Sequence, residues 1–232
     1  MELSNRLLEI IKFVPKNSTV ADIGTDHGYI PVYLIQNNIS KKVIASDISS
    51  PSLDKTIEYV NNLDLNNKIY PRLGDGLDVL KANEVDTVIM AGMGGILISK
   101  ILESRKDITE TIEHFIFQPM VASKELRHYL LNNGYIIKDE SLAKEGRRFY
   151  EIIYAIHGSD KVDHNLNYEI GQKLIEKNHP LLKEFIAYKK NEINDILSKL
   201  NEKDSDNIRE RYQELKNILH IYMEVENKLE SN

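Results

Sequence analysis

Val20-Ala21-Asp22-Ile23-Gly24-Thr25-Asp26-His27-Gly28 decides how this chain is read. An apolar run meets a carboxylate, breaks at a glycine and gives way to Tyr29-Ile30-Pro31. Proline there fits only the first turn of a helix. Strand, glycine turn and helix, in that order, are how a doubly wound α/β sheet presents a nucleotide-like ligand. Glycine lets the backbone approach, and the helix N-terminus offers free N–H groups.

The stretch does not spell the dinucleotide pattern Gly-x-Gly-x-x-Gly, because Asp26 stands where the second glycine belongs. Asp22, just before the turn, repels phosphate and welcomes a cation or an amine. S-adenosyl-L-methionine carries an ammonium and a sulfonium and no phosphate. These residues therefore point away from an NAD-dependent oxidoreductase and toward a methyltransferase.

Outward from this stretch, strands and helices alternate. The patterns predict strands at residues 19–23, 42–46, 69–73, 87–90 and 115–117. Helices are expected at 4–14 (capped by Ser4 or Asn5), 30–36, 50–63, 96–103 and 123–132, with a short one ending at Leu80. Two last strands, 135–138 and 149–157, have only a polar segment between them and should pair antiparallel. The expectation is an α/β fold, a Rossmann-like class I methyltransferase sheet of parallel strands with a terminal antiparallel hairpin. Residues 1–158 would form its S-adenosyl-L-methionine-binding catalytic domain.

Residues 159–232 follow another rhythm. Ile186, Ile193 and Leu200 repeat every seven residues with Leu182 and Ile196 between them. After the polar stretch 201–206, Ile208, Leu215, Tyr222 and Leu229 repeat likewise, with Ile218 and Val225 between. Two such helices read as an α-helical coiled-coil hairpin.

Composition narrows the partners. Hydrophobic residues make up 41% of the chain, enough for a core, and there is no cysteine, so disulfides and thiolate metal sites are excluded. The seven histidines are scattered without ligand spacing, so no metal is expected. The start lacks a secretory pattern, and the apolar stretch 88–98 holds three glycines and is too short to span a bilayer. A cytoplasmic protein away from membranes is the expectation. The net charge of −6 gives no bulk attraction to nucleic acid. The best local basic patch is Lys124, Arg127, His128, Lys138, Lys144, Arg147 and Arg148, followed by Lys173, Lys177, Lys183, Lys189 and Lys190.

Three more loops fall at expected strand ends. Asp47 can accept both ribose hydroxyls of an adenosine, or cap the helix that opens at Ser50-Pro51. Asp75 within Gly74-Asp75-Gly76 can meet an adenine amino group, or simply make a turn. Ala91-Gly92-Met93-Gly94-Gly95 places glycines where backbone would press on a ligand, or serves as a mobile loop. It is not the Asn-Pro-Pro-Tyr that holds an exocyclic nitrogen, and with no cysteine a covalent route to pyrimidine C5 is closed.

Asp22-Ile23-Gly24-Thr25-Asp26-His27-Gly28-Tyr29-Ile30-Pro31, Ala45-Ser46-Asp47-Ile48, Gly74-Asp75-Gly76-Leu77, Met90-Ala91-Gly92-Met93-Gly94-Gly95 and Gln118-Pro119 together resemble the bacterial tRNA (adenine-22-N1)-methyltransferases. The resemblance covers the sheet domain, and the helical tail matches the family's two-part layout. It implies methylation of adenine N1 in tRNA, with S-adenosyl-L-methionine as cofactor and the tail as a tRNA-binding arm. The cofactor residues implied are Asp22, Gly24, Thr25, Gly28, Asp47, Ile48, Asp75, Gly76, Gly92 and Met93. Adenine N1 attacks through its own lone pair, so alignment does most of the work. Asp26 would offset the cationic product or cap the next helix. His27 would position the base or take an N6 proton, and Tyr29 would stack on the base or fill the core. A monomer or weak homodimer is expected. The competing readings are a class I methyltransferase acting on a small molecule or another RNA, an NAD-dependent oxidoreductase, and a non-catalytic adaptor.

Overall fold

A computed structural model describes residues 3–159, 168–200 and 206–230. The chain divides into two compact units, Met1–Val162 and Asp163–Asn232. In the first, β1 (Ser18–Ile23), β2 (Ser40–Asp47), β3 (Ile69–Leu73), β4 (Thr87–Gly94) and β5 (His114–Val121) run parallel. After them, β6 (Tyr135–Glu145) and β7 (Arg148–His157) form a hairpin, with β7 antiparallel to β5. The sheet order is β3-β2-β1-β4-β5-β7-β6.

Period-two alternation sorts each central strand's side chains between two cores. Ala21, Val88, Met90, Phe115 and Phe117 face one; Val20, Ile89 and Ile116 face the other. All eight are fully buried, which a sheet covered on both faces requires. Helices α1 (Asn5–Ile11), α2 (Tyr29–Gln36) and α3 (Ser50–Asn62) supply Ile10, Leu34 and Val60 to the second core. The first core is closed by α4 (Gly95–Ser104), α5 (Lys106–Thr109) and α6 (Ser123–Asn132), through Ile98, Ile108 and Leu126. Strand order reverses between β1 and β4, and the crevice outside their C-terminal ends is the binding position of such sheets.

Three local expectations change. Strand β4 does not stop at Met90 but continues through the glycine stretch to Gly94, pairing with β5 across two register shifts. Irregular pairing accommodates the glycines without ending the strand. The polar segment between the last two strands shrinks to a turn at Gly146-Arg147, because Glu145 already pairs with Arg148. Arg127 leaves the expected basic patch. It is 2% exposed, and its guanidinium reaches Glu140 at 2.7 Å and Glu151 at 2.5 Å. The patch read charge from the sequence, and charge alone does not tell a solvated face from a buried ion network that ties α6 to β6 and β7.

The second unit holds α7 (Gln172–Glu176), α8 (Leu182–Leu197) and α9 (Asp206–Glu230). Leu182, Phe185, Ile186 and Ile193 of α8 are buried, as are Leu215 and Tyr222 of α9. Lys190 pairs with Glu226 between the two helices. Ile196, expected on the seam, is 42% exposed, and the neighbouring Leu197 is half-buried in its stead. Phe185 is buried although the seven-residue count passes over it. Most of the polar break at 201–206 lies outside the described residues.

Candidate active site

Asp22, next to last in β1, is 4% exposed. Burial pushes its carboxyl up from 3.8 to about 6; the Thr25 hydroxyl pulls against that rise and the Asp47 carboxylate adds to it. A carboxylate stripped of water in a ligand crevice is relieved by a cation.

The turn after Asp22 is clamped to β2. Gly24 and Thr25 both donate their N–H to the Ser46 carbonyl at 2.8 Å. Gly24 has φ +79°, and a Cβ there would lie 2.4 Å from Met93 Cε. Gly28 has φ +70°, and a Cβ would meet Thr56 Cγ2 at 2.8 Å. Only glycine allows both the left-handed backbone and these approaches. Between them Asp26 holds φ +49°, a conformation aspartate tolerates better than most side chains. Its N–H donates to Asp47 Oδ2 at 3.3 Å, and its carbonyl accepts the Thr56 hydroxyl at 3.3 Å. Asp47 Oδ1 accepts the Ser49 N–H at 2.7 Å. The ends of β1 and β2 and the start of α3 are thereby one framework.

A cleft of about 790 Å³ opens above this framework. Asp22, Gly24, Thr25, Asp26, His27, Tyr29 and Ile30 line it from the turn and α2, Asp47 from β2, and Ala91 and Gly92 from β4. The far wall comes from Leu3, Ser4, Arg6 and Leu7 at the chain's first helix, with Glu145 of β6. Arg6 donates to Gln118 Oε1 at 2.7 Å from its guanidinium and to Glu145 Oε1 at 2.9 Å from its backbone, and lies 5.4 Å from the Tyr150 ring centre. His27 Nδ1 is 2.7 Å from Asp26 Oδ2, and its ring stacks on Tyr29 at 5.3 Å and 11°. Among the described lining residues, four carboxylates thus face one arginine and one histidine. That donor set repels phosphate. It fits S-adenosyl-L-methionine, with carboxylates for its two cationic centres and an arginine for its single carboxylate.

The family model described as a methyltransferase domain matches residues 3–153.

This chain belongs to the methyltransferase domain family.

The tRNA (adenine(22)-N(1))-methyltransferase of Bacillus subtilis is 36% identical to it over 158 residues, covering 68% of this chain and 66% of that protein. The chain thus matches just under two thirds of that relative's length. Among solved structures, the B. subtilis m1A22 tRNA methyltransferase TrmK superimposes with a TM-score of 0.86 at 28% identity, covering 97% of this chain and 99% of that one. M. capricolum TrmK in complex with S-adenosyl-homocysteine gives 0.80 at 29% identity, again covering 97% and 99%.

The methyltransferase domain gathers Asp22, Gly24, Thr25, Asp26, His27, Tyr29, Asp47 and Gly92 around one cleft. Five other expected residues stand outside its lining. Gly28 caps α2 against Thr56, and Ile48 is 70% exposed beyond β2. Asp75 and Gly76 open the 3-10 turn Gly76–Val79 past β3, where a Cβ on Gly76 would press on Ile101. Met93 packs its Cε over Gly24 and against the core. The residue most missed is Arg6. On the sequence it is a charged position of an amphipathic helix, and nothing local marks it as facing a cleft. Gln118, by contrast, carried a motif signal and proves fully buried, with Arg6 on its amide oxygen.

Among the described residues no helix is long and apolar enough to cross a membrane, and no three histidine or carboxylate side chains gather as a metal site.

Proposed function

We propose that this protein transfers the methyl group of S-adenosyl-L-methionine to N1 of adenine in tRNA, at position 22, as a monomer or weak homodimer in the cytoplasm. The observation that carries this reading is the cleft at the switch point, with Asp22 and Asp47 at adjacent strand ends around the Gly24 turn. The likeness to the B. subtilis and M. capricolum enzymes supplies the substrate. Residues 1–158 would be the catalytic domain and 159–232 the tRNA-binding arm.

In this reading Asp22 takes the ammonium, Asp47 the ribose hydroxyls and Arg6 the carboxylate of the donor. Gly24, Thr25 and Gly92 bring backbone close to it. The bound donor supplies an electrophilic methyl on a sulfonium. The lone pair of adenine N1 forms the new N–C bond as the C–S bond breaks, and the positive charge passes to the base. Asp26, beside the cleft, offsets that charge. His27, held by its Nδ1 at 2.7 Å from Asp26 Oδ2, positions the base. Because N1 lies on the Watson–Crick edge, the base must be unpaired or flipped, and Tyr29 offers it a face.

The test is incubation of the purified protein with methyl-labelled S-adenosyl-L-methionine and unmodified tRNA, then nucleoside analysis. Labelled 1-methyladenosine is expected, mapping to position 22. Label in another nucleoside, or none in tRNA, would overturn the assignment.

A further inference from the structure

A second groove adjoins the cleft and shares two side chains with it. It measures about 320 Å³ and is bounded by His27 and Tyr29 on one side and by Lys55, Glu58, Tyr59 and Asn62 of α3 on the other. Those four lie at helical spacings of three, four and seven, so they form one stripe, opposite the side on which Leu53, Thr56 and Val60 are buried. The stripe's position is fixed, since α3 is keyed to the turn by Thr56 against Gly28 and by the Thr56 hydroxyl on the Asp26 carbonyl.

The groove's chemistry is aromatic and amphiphilic. Tyr29, 41% exposed, is stacked on His27 and meets Tyr59 edge-on at 6.0 Å and 79°. An edge-on contact leaves ring face uncovered that a parallel stack would hide. Lys55 and Glu58 cancel in charge, so attraction to a polyanion is not what fills this space. Stacking is, with the Asn62 amide and the Lys55 ammonium as polar handles.

We propose that this groove is a second nucleotide subsite, which holds the base next to the methylated adenine on the same RNA strand. The proposal rests on the RNA-methylating reading of the cleft. Extruding the target base strips its neighbour of a stacking partner, and an aromatic face adjoining the cleft replaces what was lost. The aromatic series His27, Tyr29, Tyr59 runs from inside the cleft onto α3, and the groove has room for a single nucleotide.

Two variants test this. Tyr59→Ala is expected to raise KM for tRNA by roughly five- to a hundredfold, with kcat and the affinity for S-adenosyl-L-methionine unchanged. Tyr70→Ala, which removes an exposed tyrosine from β3, is the control and leaves all three constants alone. The protein contains no tryptophan, so Tyr59→Trp gives a single tryptophan, excited selectively at the red edge beyond tyrosine absorption, whose fluorescence a short single-stranded oligoribonucleotide should quench saturably. An unchanged KM in Tyr59→Ala, a loss of cofactor affinity equal to the loss of activity, or emission indifferent to the oligonucleotide would each overturn the subsite. Should the wild-type protein methylate no tRNA while Tyr59→Trp is still quenched, the groove stands and the reading of the cleft falls.

Discussion

Asp26 and His27, consecutive in the chain, hold each other by a 2.7 Å contact from Oδ2 to Nδ1, while the Asp26 backbone hangs from Asp47 through its N–H. A carboxylate that serves the ring beside it is thus anchored to the carboxylate at the end of the neighbouring strand. The pair faces the cleft with its imidazole orientation fixed, and this is the arrangement most open to test.

Asp26→Asn keeps the shape and removes the charge. Single-turnover rates on tRNA should fall by about a hundredfold, within the range typical of positioned acid–base groups, while S-adenosyl-L-methionine binding changes less than about threefold. His27→Ala should give a similar loss. An equal fall in cofactor affinity would assign both residues to the donor site.

Asp22 makes a prediction about pH. Its folded value near 6 exceeds the ordinary 3.8, so the folded state binds the extra proton between those limits. Its contribution to stability therefore declines as pH rises from about 4 through about 6 and is flat above. Asp22→Asn should flatten that slope and raise Tm at pH 7 by a few degrees, yet weaken S-adenosyl-L-methionine binding at least tenfold. A cationic ligand favours the ionised carboxylate, so wild-type affinity should fall as pH drops below about 6. Calorimetric titration of cofactor from pH 5 to pH 8 checks the sign.

Arg6→Lys keeps the charge but not the planar fork that meets Gln118 and could clasp a carboxylate. Weakening of S-adenosyl-L-methionine binding by about tenfold is expected, and binding of 5′-methylthioadenosine, which lacks the amino-acid end, should be unaffected. Equal losses for both ligands would place Arg6 elsewhere in the cleft's work.

Arg127→Met removes the buried guanidinium that Glu140 and Glu151 share. Stability in urea should drop by about 3–5 kcal/mol. Adding Glu140→Leu and Glu151→Leu should recover much of it, since the cost lies in the buried carboxylates rather than in a missing attraction. Activity of the triple variant should stay near that of the wild type, because the network touches α6 and the hairpin but not the cleft.

The sheet was legible because its signals are local. Val20–Ile23 and Thr87–Met90 carry the apolar runs of strands covered on both faces, and Gly24 and Gly28 mark a turn only glycine can make. What stayed hidden depends on distant partners. Arg6 is defined by Gln118 and Glu145, and Arg127 by Glu140 and Glu151; neither relation leaves a trace in neighbouring residues. Strand β4 outran its expected end because pairing with β5 outweighed the glycines' weak strand propensity. Ile196 and Leu197 traded places on the α8 seam for a similar reason, since a seven-residue count cannot see which of two adjacent apolar side chains meets a partner.

The wall that Arg6 provides also sets a schedule. The Arg6 backbone meets Glu145 across 139 positions, and its guanidinium meets Gln118 across 112. On a ribosome α1 emerges well before β6 and must wait for the hairpin before its side of the cleft exists. Nascent or truncated chains that end short of β6 would carry the whole glycine turn and still lack a closed site, so competence arrives in one late step rather than growing with length.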